Sequence, residues 1–190
     1  SLNGLTIYGE ESGKVISSAA TMAHASQSGL SRLFDTLLEG EGGRLEPLDD
    51  LSFYEEGGVS GLIHGETVLF GTAAFCRKMH VTMPGGLSLK TGAFLAVDGT
   101  LIAVFAVKYT AAENVDWALH ALKRSRITPV LAVRDGSITP ALLKRKFGTD
   151  ARAVYPTIST RLALSEKDGE HPYALLYREG LMPYAEIAVG

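Results

Sequence analysis

Leu30, Leu33, Phe34, Leu37 and Leu38 fall at i, i+3, i+4, i+7 and i+8, and Gly40 follows them. That spacing predicts an amphipathic helix with a glycine stop. Upstream, residues 14–25 have helical composition, with Val15, Ile16, Ala19 and Met22 able to share one face. The break Ser26-Gln27-Ser28-Gly29 makes the two segments a helix hairpin. Residues 39–50 are rich in glycine and acid and read as an exposed loop. Short strands are predicted at 61–65 and 67–70, a brief helix at 73–80, and a loop at Met83-Pro84-Gly85-Gly86. Apolar runs at 94–97 and 101–107 flank Asp98-Gly99, a hairpin signal because both central residues of a type I′ turn need positive φ.

The pattern then changes. Residues 112–125 form a helix with Val115, Ala118, Leu119 and Leu122 on one side. Residues 129–133 are a continuous apolar strand of the kind buried in parallel sheets. Residues 140–147 read as a helix closed by Gly148, and 152–155, 173–177 and 187–189 as further strands. Alternating strand and helix implies right-handed crossovers and a parallel sheet. The chain is therefore mixed α/β in two parts, a helix hairpin on an antiparallel sheet and then an α/β half, with the boundary near Val107-Lys108.

Composition narrows the classes. With 190 residues, 46% of them hydrophobic, the chain can bury a real core. A net charge of -3 without a basic run gives no electrostatic reason to expect nucleic acid. Cys76 has no internal partner, and a reducing compartment is the plain reading. No apolar run approaches the ~18 residues of a membrane span. Ser1-Leu2-Asn3-Gly4 lacks the basic flank and apolar stretch of a signal peptide.

The order of elements, with Gly58-Val59-Ser60-Gly61, Leu69-Phe70-Gly71-Thr72 and Ala96-Val97-Asp98-Gly99-Thr100-Leu101, resembles the cytoplasmic region of P-type ATPases, above all the heavy-metal-transporting branch. Residues 112–125 and 128–135 are similar to the helix and strand that follow in that family. The resemblance implies a haloacid-dehalogenase-like Rossmannoid phosphorylation domain, here 1–7 and 108–190, interrupted by a nucleotide-binding domain, here 8–107. It also implies ATP and Mg²⁺ as cofactors, the membrane-embedded part of the same protein as partner, and a place on the cytoplasmic face of the membrane.

The family's reactive positions are mostly replaced. Its phosphorylated Asp-Lys-Thr-Gly-Thr aligns with Ser1-Leu2-Asn3-Gly4-Leu5, and a serine cannot form the acyl-phosphate. Its adenine-packing His-Pro aligns with Ser28-Gly29, and nearby His24 reads as a structural residue of the preceding helix. Gly58 and Gly61 match its glycine pattern and are the nucleotide-binding candidates. Glu56 replaces the first glycine and brings negative charge; glycines here equally suit a bend or bulge between strands. Asp135 in Val133-Arg134-Asp135 is the one catalytic candidate, though an acid after a buried strand is also an ordinary turn residue. Ser159 stands where the family's lysine neutralises the phosphoryl group, with Arg161 the nearest cation. The Mg²⁺-holding aspartates align with Arg178-Glu179-Gly180-Leu181-Met182-Pro183, which lacks the second acid. Cys76 and His80, four apart with Met79 between them, make a soft-metal pair without a third ligand, and no metal site is assigned. His171-Pro172 reads as the lead-in to a strand.

The resulting expectation is a cytoplasmic module of a P-type cation-transport ATPase-like membrane protein. It is catalytically degenerate, with weak or lost ATP binding and a regulatory or structural role. Two alternatives stay open. One is a fragment of an active ATP-hydrolysing transporter whose catalytic aspartate lies outside this sequence. The other is a stand-alone small-molecule or protein-binding module on the same scaffold.

Overall fold

Nearly every residue from 93 to 107 is apolar, so this stretch needs cover on both faces of a sheet, and the computed structural model supplies it. The structure describes residues 1–87, 92–110, 113–148 and 153–166, and the backbone of 184–187. The chain divides into two compact units, Ser1–Tyr109 and Thr110–Gly190.

The first unit is a six-stranded antiparallel sheet of β1 (Leu2–Ile7), β2 (Asp49–Tyr54), β3 (Gly58–Ile63), β4 (Glu66–Gly71), β5 (Ala93–Val97) and β6 (Thr100–Val107), in the order β1-β6-β5-β4-β3-β2. Between β1 and β2 run α1 (Ser12–Ala25) and α2 (Ser31–Gly40), the predicted hairpin. Alternate strand residues divide between two cores. Ala93, Leu95, Val97, Ala103 and Phe105 pack with Val15, Met22, Phe34 and Leu38 of the helices. Phe94, Ala96, Leu101 and Val104 face the other way, onto Phe75 and Cys76 of the short helix α3 (Ala73–Lys78). Phe34 sits edge-on against both Phe70 (centroids 5.3 Å apart) and Phe105 (4.8 Å), a geometry that suits the aromatic quadrupole. The β5–β6 turn has both residues at positive φ, Asp98 at 47° and Gly99 at 81°, and the Thr67 N–H donates to Asp98 Oδ1 at 2.9 Å.

Three readings need correction. Residues 1–7 do not belong with the second half: β1 pairs antiparallel with β6, Leu5 opposite Phe105, and Ser1 and Lys108 exchange backbone hydrogen bonds of 2.8 and 3.0 Å. Without β1, the apolar β6 would be an unpaired edge. The stretch read as loop through residue 50 already contains the start of β2, an edge strand whose mixed burial hides its periodicity. The strand predicted at 152–155 is, among the described residues, a single parallel bridge from Val154 to Val130.

The second unit contains α4 (Glu113–Arg124), β7 (Thr128–Leu131), α5 (Pro140–Phe147), α6 (Ile158–Ser165) and β8 (Tyr184–Ile187). β7 and β8 pair in parallel, as alternating strand and helix required. α5 starts at the Thr139 cap, whose hydroxyl accepts from the Leu142 N–H, and ends at left-handed Gly148. α6 went unread in the sequence, where Thr157 to Ser165 carries weak periodicity. The strand at 173–177, residues 188–189 of the last one, His171-Pro172 and the Arg178–Pro183 turn lie outside the described residues. Among the described residues no helix is long and apolar enough to cross a membrane.

Phe34 is fully buried and joins helix to sheet. Replacing it with alanine is expected to lower the unfolding free energy of the first unit by about 3–5 kcal/mol. Urea denaturation followed by far-UV dichroism measures this, and an unchanged midpoint would contradict the packing described.

Candidate functional site

The β2–β3 turn, which carries Glu56, Gly57 and Gly58, is where the sequence places a ligand against glycine backbone. Its polar groups are engaged by the chain itself. The Gly57 N–H donates to the Tyr54 carbonyl at 3.2 Å, closing the turn, and the Gly57 carbonyl accepts from the Thr72 N–H at 3.0 Å. The Thr72 hydroxyl donates to the Glu56 carbonyl at 2.6 Å and accepts from the Phe75 N–H at 3.2 Å, capping α3. One threonine thus clamps the turn to the helix. The Glu56 carboxylate lies 3.2 Å from Lys78 Nζ. Its own backbone N–H, and then Lys78, hold its pKa below the usual carboxylate value. The negative charge expected to face a polyphosphate therefore already has a cation beside it.

Gly58 and Gly61 both lie in β3, on opposite faces. A Cβ on Gly58 would overlap the Phe75 ring, and one on the cross-strand partner Gly71 would overlap Gly58 itself. Gly61 has Leu48 Cδ1 2.5 Å from where its Cβ would be. The close approach that these glycines permit is taken up by the protein's own side chains. Tyr54, with ring centroid 5.1 Å from that of Phe75, completes the cover.

The remaining first-unit candidates are dispersed. Ser26 and Ser28 are buried in the α1–α2 turn, the Ser26 hydroxyl donating to the Ala23 carbonyl and the Ser28 hydroxyl accepting from the Leu30 N–H. His24 is exposed and faces Asp35 of α2 at 3.8 Å. Cys76 is buried, which pushes its thiol up to about 11 against the small opposing effect of Arg77, whereas His80 is exposed beyond the end of α3. The two do not converge. Ser1 ends an edge strand of the first unit's sheet rather than occupying a catalytic turn.

In the second unit, Asp135 is buried just beyond β7 and folds its own turn: Oδ1 accepts from the Ser137 N–H at 2.9 Å and its carbonyl from the Ile138 N–H at 3.1 Å. Ser159 lies in the first turn of α6, its hydroxyl 3.2 Å from that of Thr157. Arg161 is the residue that sequence reasoning undervalued. It is fully buried, donates to the Pro156 carbonyl at 3.0 Å and the Val133 carbonyl at 3.2 Å, and stacks over Tyr155 at 4.3 Å. A lone arginine in a weakly periodic segment carries no signal that it will be internal.

The Phe75–Gly58 contact predicts a specific stability pattern. Gly58→Ala should cost about 1–3 kcal/mol through overpacking. Combined with Phe75→Leu, the total should be smaller than the sum of the two single losses, because the smaller side chain makes room for the methyl. Urea midpoints of the four proteins measure this, and strict additivity would contradict the contact.

No family model matches the sequence, and no curated protein matches it. Solved structures do match. The catalytic domain of the CPx-ATPase CopB-B, from a study of its conformational changes on nucleotide binding, aligns over 100% of this chain and 64% of its own length, with 14% identity and a TM-score of 0.50. The N-domains of HMA8 and HMA6, both described as copper-transporting P-type ATPases, align over 56% of this chain and 98% and 96% of their own, at 15% and 16% identity and TM-scores of 0.49. This chain thus spans less than two thirds of the CopB-B catalytic domain. In fold, it matches the catalytic region of a CPx-type P-type ATPase, the family whose motif order its sequence resembles.

Proposed function

We propose that this chain is a cytoplasmic, soluble module of a P-type cation-transport ATPase-like membrane protein, catalytically degenerate, with ATP binding weak or lost and structural or regulatory work remaining. The first unit is read as the nucleotide-binding-type domain and the second as a haloacid-dehalogenase-like partner domain. The partner is the membrane-embedded part of the same protein. The observation that carries the reading is the β2–β3 turn: Phe75 covers Gly58, Thr72 clamps the turn to α3, and the Gly57 N–H is spent within it.

The residues present do not fit ATP in the family's manner, so no chemical step is assigned to it here. Phosphoryl transfer on this scaffold needs a carboxylate nucleophile, a cation on the transferring group and carboxylates that hold Mg²⁺. Ser1 lies in a sheet edge, Ser159 is neutral, and Asp135 is engaged with its own turn. Arg161, the nearest cation in sequence, holds backbone carbonyls in the interior. Each missing charge-stabilising group typically costs about 10²–10³ in rate, and several are missing together.

Incubation with γ-labelled ATP and Mg²⁺, acid precipitation and hydroxylamine treatment tests the reading. The expected outcome is no hydroxylamine-sensitive label and no phosphate release above a protein-free control. Label that hydroxylamine removes would overturn the degenerate reading and favour the active-fragment alternative.

A further inference from the structure

The sheet of the first unit ends in β1 on one side and β2 on the other, and the two edges are built differently. β2 is guarded. Asp49 and Asp50 put charge on it, Asp50 has a φ of 55°, and its register against β3 slips between Asp49 and Ser52. Charge and a bulge both hinder the addition of a further strand. β1 has no ionisable side chain and no proline. Its own bulge lies between Leu2 and Gly4, and from Gly4 to Ile7 it runs in register along β6. Among the described residues no strand pairs with its outer side.

The phase of the ladder decides which backbone groups face outward. The Tyr8 N–H donates to the Ile102 carbonyl at 2.8 Å, and Thr6 and Gly4 lie opposite Val104 and Ala106. Bonded and non-bonded pairs alternate along an antiparallel ladder. Leu5 and Ile7 therefore turn their N–H and carbonyl groups away from β6, toward the open edge. Their side chains pack against the helix-side core, whereas Thr6 is exposed.

This edge is complementary to itself. With two β1 strands antiparallel about a two-fold axis at Thr6, Leu5 of one copy faces Ile7 of the other, and the two exchange both backbone bonds. Leu5 beside Ile7 of the second copy extends the apolar helix-side face across the junction, and on the opposite face Thr6 meets Thr6, a favourable cross-strand pair. The ends match in charge. Beyond Tyr8 the chain leads to exposed Glu10 and Glu11, and beside the start of β1, at the end of β6, stands exposed Lys108. Neither Lys108 nor Glu11 makes an ion pair among the described residues, and Glu10 has only a 3.7 Å contact to Lys14. Antiparallel pairing brings Lys108 of each copy toward the acidic end of the other; a parallel arrangement would set like charges together.

We propose that the outer edge of β1 is a homodimer interface, occupied by β1 of a second copy of this chain, so that one sheet runs through both copies. This interface stands independently of whether the β2–β3 turn takes nucleotide.

Sedimentation equilibrium of the full chain, at concentrations up to about 500 µM, tests the proposal. The expected result is a reversible rise in mass from 20.2 kDa toward twice that value. In amide hydrogen exchange, Leu5 and Ile7 should gain protection with concentration, since their N–H groups bond only in the dimer. Thr6→Lys and Thr6→Glu should each weaken association by about fivefold or more, because the axis sets residue 6 against itself. Mixing the two variants should restore it, with urea midpoints native throughout. A mass that stays at 20.2 kDa, as when a strand from a different protein is the true occupant, would overturn the proposal. So would a dimer indifferent to both substitutions, or variants that associate no better mixed than apart.

Discussion

The contact between the Phe75 ring and the bare Cα of Gly58 holds together the part of the molecule that bears on function. It brings α3 down onto the far face of the sheet, where Phe94, Ala96, Leu101 and Val104 need cover. It also requires Gly71, the cross-strand partner of Gly58, to be glycine, because the two backbones approach too closely for a Cβ. Thr72 follows directly and joins the β2–β3 turn to the start of α3. Packing on one face and clamping of one turn are thus a single arrangement, and the turn that could have received a ligand becomes part of the core.

The near face works differently. The helix hairpin presents Val15, Ala19, Met22, Phe34 and Leu38, and small residues at 19, 20 and 23 let α1 lie close to its neighbours. Since β5 and β6 are covered on both faces, they read as continuous apolar runs rather than as alternating strands. That explains why the hairpin at Asp98-Gly99 was plain in the sequence while the outer strands were not. β1 has only three partly buried positions, and β2 begins in residues that look like loop. Residues 1–7 were misassigned because a motif comparison placed Ser1 in a catalytic turn, whereas strand pairing with β6 decides where the segment goes. In the second unit, the Thr139 cap and Gly148 stop made α5 legible, but α6 and the buried Arg161 rest on tertiary contacts that no local pattern announces.

The candidate site was legible only in outline. A glycine in a strand says that something comes close to the backbone; it cannot say whether that is a ligand or the protein's own side chain. At Gly58 it is Phe75 and at Gly61 it is Leu48. Asp135 shows the same ambiguity, since a carboxylate after a buried strand can serve chemistry or its own turn, and here Oδ1 accepts from the Ser137 N–H.

The central claim is the proposal that the first unit is a nucleotide-binding-type domain whose glycine turn is filled from within by Phe75. Isothermal titration of the full chain with Mg-ATP tests this most directly. The account predicts a dissociation constant in the millimolar range or weaker, equivalent to no more than about 4 kcal/mol of binding free energy. Micromolar, saturable, one-to-one binding would contradict it.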